Sequence, residues 1–150
     1  MKRLKLLAFA FSPFLINYCF HLAVQNNEWI GKGLTLSSFF FAAYWLFVGY
    51  KSATYTRTAK ESVLIGNIFA LVSVSMLLLR LDTWLMTQGI VYLGSGPQFF
   101  FFPMLRVTQF VERTFLFFLN RHVPFFTFIL SCILMIVIYY LGYRLRKKLS

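Results

Sequence analysis

FFFFPMLRVTQFVERTFLFF, residues 99–118, decides how this chain is arranged. It is long and apolar enough to cross a bilayer, yet Arg106, Glu112 and Arg113 sit near its middle. On an insertion scale a central arginine costs about 2.5–3.5 kcal/mol, and each large apolar residue returns about 0.3–0.6. The two sums nearly cancel, so hydropathy alone does not place the segment. Helical periodicity says more. At 100° per residue, Arg106, Gln109, Glu112, Arg113 and Asn120 share an arc of roughly 120°. Met104, Val107, Phe110, Val111, Thr114, Phe115 and Phe118 cover much of the other side. Aromatics opposite charges describe an interfacial amphipathic helix over residues 103–119, with its rings in lipid and its charges among headgroups. Pro103 suits a first helical turn, where the missing N–H costs nothing. The rivals are a re-entrant hairpin bent at Pro103 and a fifth span.

The composition points to lipid as the solvent. Hydrophobic residues make up 59% of the 150 and charged ones only 13%, against about 45–50% and roughly 25% in soluble domains. Four runs lack Asp, Glu, Lys and Arg for about the ~17–25 residues that a spanning helix needs. They are residues 6–24, 34–50, 62–79 and 123–143, ending at Tyr143, and give spans near 6–24, 34–50, 62–80 and 123–143. Backbone groups in hydrocarbon must pair within their own segment, and these runs lack the alternation of barrel strands, so they read as α-helices. The chain is therefore expected to be a single all-α integral membrane domain over residues 1–150. It has four transmembrane helices plus the interfacial helix between spans three and four. The first run resembles a secretory leader only in its basic start. Its apolar stretch is too long, and no small-x-small cleavage site follows, so it reads as an uncleaved span. Gly94-Ser95-Gly96-Pro97 reads as a turn.

Charge orients the four spans. With the N-terminus inside, Lys2, Arg3, Lys5, Lys51, Arg57, Lys60, Arg144, Arg146, Lys147 and Lys148 are internal, ten in all. Lys32, Arg80, Arg106, Arg113 and Arg121, five, are external. A fifth span would flip the tail and leave seven against six. The positive-inside rule favours four spans, with both termini cytoplasmic and the cell membrane as location. The net charge of +11 is distributed at the ends of apolar runs. That pattern suits anionic lipid on the cytoplasmic side and does not make the basic face that nucleic acid binding requires.

Few residues suggest chemistry. Pro13, Asn17 and His21 recur every four residues on one face of the first span. Such a stripe forms a proton or ligand path, or bonds to a neighbouring helix and to carbonyls freed by the proline. Ser62, Gly66 and Ala70 give small residues at the same spacing, which admits a close helix neighbour. Arg80 and Asp82 read as an interfacial charge pair at the outer end of the third span, with Arg80 snorkelling. The polar face of the interfacial helix is Arg106, Gln109, Glu112 and Arg113. The tail residues Arg144, Arg146, Lys147 and Lys148, preceded by Tyr139, Tyr140 and Tyr143, anchor the last helix in headgroups. Cys19 and Cys132 read as small buried hydrophobes at different depths, not as a disulfide. The acids and histidines follow no ligand motif, so neither a metal nor another cofactor is expected. The resulting expectation is a non-enzymatic protein that acts as an accessory or regulatory partner of another membrane component, with self-association as a further possibility. A small oligomeric transporter using the Asn17–His21 stripe and an outer-face enzyme are the alternatives.

Overall fold

Pairing of the backbone within each segment leaves helices as the regular structure of an apolar chain, and every regular element among the described residues is helical. The structure is a computed structural model. It describes the backbone of residues 2–25, 30–115 and 124–149, and their side chains except at 2, 20–25, 30–35, 91–93, 115 and 124–125. The elements are α1 (Lys2–Gln25), α2 (Ile30–Ser52), α3 (Ala59–Gly66), α4 (Ile68–Leu78), α5 (Leu81–Thr87), α6 (Val91–Phe101), a 3-10 turn (Phe102–Met104), α7 (Leu105–Phe115) and α8 (Pro124–Leu149). Among the described residues, one single helix, Phe126–Leu149 within α8, is long and apolar enough to cross a membrane. α3 and α4 together qualify as a second, broken one, bent by 57°.

Local sequence explains the starts, bends and breaks. Thr58 caps α3, its hydroxyl accepting from the Glu61 amide at 3.2 Å, as the Thr-x-x-Glu pattern of a capping box directs. The third run, expected to be continuous over 62–80, breaks at Asn67, whose side-chain amide donates to the Val63 carbonyl at 3.0 Å and so competes with the helix ladder. Pro13 lies inside α1, where proline leaves the carbonyl four residues back without its donor. Ser12 Oγ donates to that Phe9 carbonyl at 2.6 Å, and the Tyr44 hydroxyl of α2 donates to Ser12 Oγ at 2.9 Å. The freed carbonyl is thereby turned into a helix–helix link.

The bundle alternates in direction. Arg3 meets Glu61 at 2.7 Å, and Phe11 and Phe14 meet Phe69, so α1 runs parallel to α3 and α4. α2 opposes them, with Tyr44 on Ser12 and Ser52 on Ser62. α8 runs parallel to α2, pairing Trp45 with Tyr139 and Tyr50 with Arg146. Their contact is closest at two glycines. A Cβ on Gly49 would collide with the Tyr139 carbonyl, and one on Gly142 with the Leu46 carbonyl. Only hydrogen at both positions permits this approach of two backbones.

Over its described residues, 99–115, the opening segment is neither one straight helix nor a helix with a free polar face. Phe99 to Phe101 end α6, and the chain turns 3-10 through Pro103 before α7 begins. The Gly94–Pro97 stretch expected to be a turn lies inside α6. Gln98 donates to Asp82, beyond the end of α4, while Phe100 packs on Phe14 at 4.9 Å, so α6 runs against α4 and into the bundle. α7 then runs against α8, with Thr108 on Ser131 at 2.8 Å and Glu112 accepting from Thr127 at 3.2 Å. These contacts trace a hairpin with its bend at Phe102–Met104, where Pro103 and Met104 are buried. The arc drawn for an interfacial helix is split accordingly. Glu112 is buried against α8, whereas Arg106 and Arg113 are exposed. Residues 116–119 of the expected helix lie outside the described residues.

Candidate functional site

A lateral groove of about 500 Å³ opens between α1, α4 and α6. Its walls are chiefly Phe14, Phe69, Val72 and Phe99, and its polar members include Asn17 and Ser73. Both of these polar residues are buried. Gly96 borders the same space and a Cβ there would meet nothing within 4 Å. α6 packs beside α4 after the α5–α6 turn, where Gly89 takes φ 79°, a left-handed value that suits glycine. Pro13 and Asn17 both face inward on α1. The His21 side chain lies outside the described residues, so the second half of the sequence stripe is not described.

The outer-end pair is placed differently from expectation. Arg80 takes the left-handed conformation, φ 53°, and caps α5 while remaining exposed. Asp82 is buried and accepts from Gln98 Nε2 at 3.3 Å and from Thr83 Oγ1 at 3.5 Å. The two charged residues line one open depression, but the one ion pair among the described residues is Arg3–Glu61. The carboxylate therefore ties α5 to α6 rather than holding Arg80.

At the opposite end of the bundle, a polar cluster went unmarked in the sequence. Ser62 Oγ donates to Ser52 Oγ at 2.7 Å, lies 3.2 Å from the Tyr139 hydroxyl, and Ser52 Oγ donates to the Gly49 carbonyl. Tyr139 lies against Gly66, where a Cβ would overlap the phenol ring. The Ser62–Gly66–Ala70 spacing thus receives a tyrosine side chain of α8, and its three residues are buried. The signal for the partner was Tyr139, which had been read only as an interfacial aromatic.

The basic end carries the tail. Arg146 donates to the Tyr50 hydroxyl at 2.9 Å and sits 5.2 Å over its ring, and Arg144 lies 6.0 Å over Tyr140. Lys147 and Lys148 are exposed. Cys132 is buried as expected, but Cys19 is exposed on α1. No group of three His, Cys, Asp or Glu gathers among the described residues. No family model, curated protein or solved structure matches this chain.

Proposed function

We infer that this chain is a multi-pass membrane protein that crosses the bilayer four times and acts as an accessory or regulatory partner of another membrane component. The spans are α1, α2, the broken α3–α4 pair and α8, and the α6–α7 hairpin dips in and returns on one side. Support comes from the alternating directions of these four segments, with ten basic residues at one end. Because α2 and α8 are parallel, an odd number of crossings separates them, which accords with both termini on the cytoplasmic side. The outward faces carry large apolar side chains such as Phe40, Val72, Leu79 and Ile133, the surface expected where lipid or another membrane helix is the neighbour.

The groove between α1, α4 and α6 carries the binding reading. Gly96 is a small residue at the open, apolar mouth of the groove, the arrangement that lets a transmembrane helix of a partner approach closely. The occupant is read as such a helix. A Cβ at Gly96 meets nothing within 4 Å, so Gly96→Leu, which puts a larger side chain into the opening, is expected to abolish co-purification of the partner in mild detergent while the chain still accumulates. Unchanged partner recovery with Gly96→Leu would remove the groove from the reading. A chain recovered only as a homo-oligomer, with a permeability phenotype, would favour the transporter alternative.

A further inference from the structure

We propose that the pocket between α2 and α7 holds the anionic phosphate headgroup of a phospholipid, with an acyl chain laid along the neighbouring phenylalanines. This rests on the four-span reading and specifies a ligand for it. The pocket has a volume of about 200 Å³ and is lined by Ser37, Ser38, Phe102, Pro103, Arg106 and Gln109, among others. Arg106 Nη1 donates to Gln109 Oε1 at 3.3 Å, which orients the guanidinium and leaves the Gln109 amide nitrogen as a further donor. Arg106 has no carboxylate partner among the described residues, since the one ion pair there is Arg3–Glu61.

Depth makes that charge consequential. Ser37 and Ser38 fall in the third turn of α2, roughly 10 Å along its axis at 1.5 Å per residue. Thr108, half a turn beyond Arg106, bonds Ser131 at a similar distance into α8. The apolar run of α2 begins only at Leu34, so this level lies about 5 Å inside it, a depth at which an arginine pairs with an anion or snorkels to one. A planar guanidinium suits a phosphate, which can accept two parallel N–H bonds. The other wall of the pocket is apolar, formed by Phe102, Pro103 and Leu105, and Phe39 and Phe40, which follow Ser38 in α2, are exposed. Donors on one side and phenylalanine on the other match an amphiphile rather than a soluble anion.

The test uses the full chain, purified in detergent and placed in bilayer discs of phosphatidylcholine with a small fraction of phosphatidylglycerol. Native mass spectrometry then counts retained lipid. One phosphatidylglycerol per chain is expected, retained at least tenfold better than phosphatidylcholine. Arg106→Gln is expected to lose that preference, and Arg106→Lys to keep part of it. Arg113→Gln, equally exposed on α7 but outside the pocket, is expected to keep it all. Equal losses from the Arg106 and Arg113 variants would overturn the proposal in favour of general surface charge. Displacement by millimolar inorganic phosphate would also overturn it, because the site would then take free anion. Should Arg106→Gln fail to fold, Gln109→Leu carries the same expectation of lost preference. Labelling of a cysteine at position 106 by an impermeant reagent, read separately from each side, reports the topology. Failure of the four-span reading is thereby distinguished from failure of the lipid site.

Discussion

Two glycines and one tyrosine govern the tightest contacts. Gly49 and Gly142 each face a carbonyl of the opposite helix, and both sides of that contact are backbone. A methyl group there cannot be accommodated by a rotamer change. Gly142→Ala is expected to destabilise the chain by about 1–3 kcal/mol, the usual cost of overpacking. Gly96→Ala, which meets nothing, should shift stability by less than about 1 kcal/mol. Thermal unfolding of both variants in the same detergent checks the contrast. Equal effects would show that the α2–α8 approach is looser than described. Tyr139→Phe removes one hydroxyl from the Ser52–Ser62 cluster but leaves those two serines paired. The expected cost is about 0.6–1.7 kcal/mol, the range for a hydrogen bond between membrane helices, read from the same melts.

At the scale of elements, the hairpin is the decisive feature. Met104 at the end of the 3-10 turn and Thr108 and Glu112 of α7, spaced by four, are buried against the bundle, whereas Arg106, Phe110 and Arg113 are exposed. The sequence wheel had grouped Glu112 with the exposed arginines. Single cysteines at 104–114, introduced after replacing Cys19 and Cys132, separate the two arrangements. Positions 104, 108 and 112 should resist an impermeant thiol reagent while 106 and 113 react from the outer side. Reaction at 112 as fast as at 113 would favour the interfacial helix. Protection of the whole block, with 113 reached only from inside, would favour a fifth span. The Asn67 break belongs to the same scale. A helix interrupted inside an apolar zone must satisfy its polar groups internally; the Val63 carbonyl accepts from both the backbone and the side-chain amide of Asn67, while Asn67 Oδ1 is buried without a partner among the described residues.

For the whole molecule, the outcome is orientation. Reporters fused after Ser150 and within residues 51–62 should both lie on the cytoplasmic side, and one placed within 25–33 should lie outside. A C-terminal reporter on the side opposite to the reporter within 51–62 would contradict the parallel α2–α8 pair, since an odd number of crossings must separate parallel helices. The basic end offers an internal check. Arg146 is already engaged with Tyr50, whereas Lys147 and Lys148 are free to reach headgroups. Charge reversal at the two lysines should therefore disturb orientation more than stability.

The all-helical class and the approximate places of the apolar runs follow from composition and run length alone. Both reflect transfer of side chains and backbone into hydrocarbon, a property each residue carries independently of its neighbours. The need for small residues at 62, 66 and 70 was also legible, because spacing by four puts them on one helix face. What filled that face was not: nothing local links Ser62 to Tyr139, which lies 77 residues further on. The same holds for Glu112, where periodicity defines an arc but not which arc is covered. Thr127 of α8 covers it. Gly94–Pro97 read as a turn because glycine and proline are local breakers, yet packing of α6 on α4 and α5 holds the stretch helical. Local preferences of about 1 kcal/mol per glycine and ~3 per proline yield to the summed contacts of a whole helix, and those contacts exist only once distant segments have met.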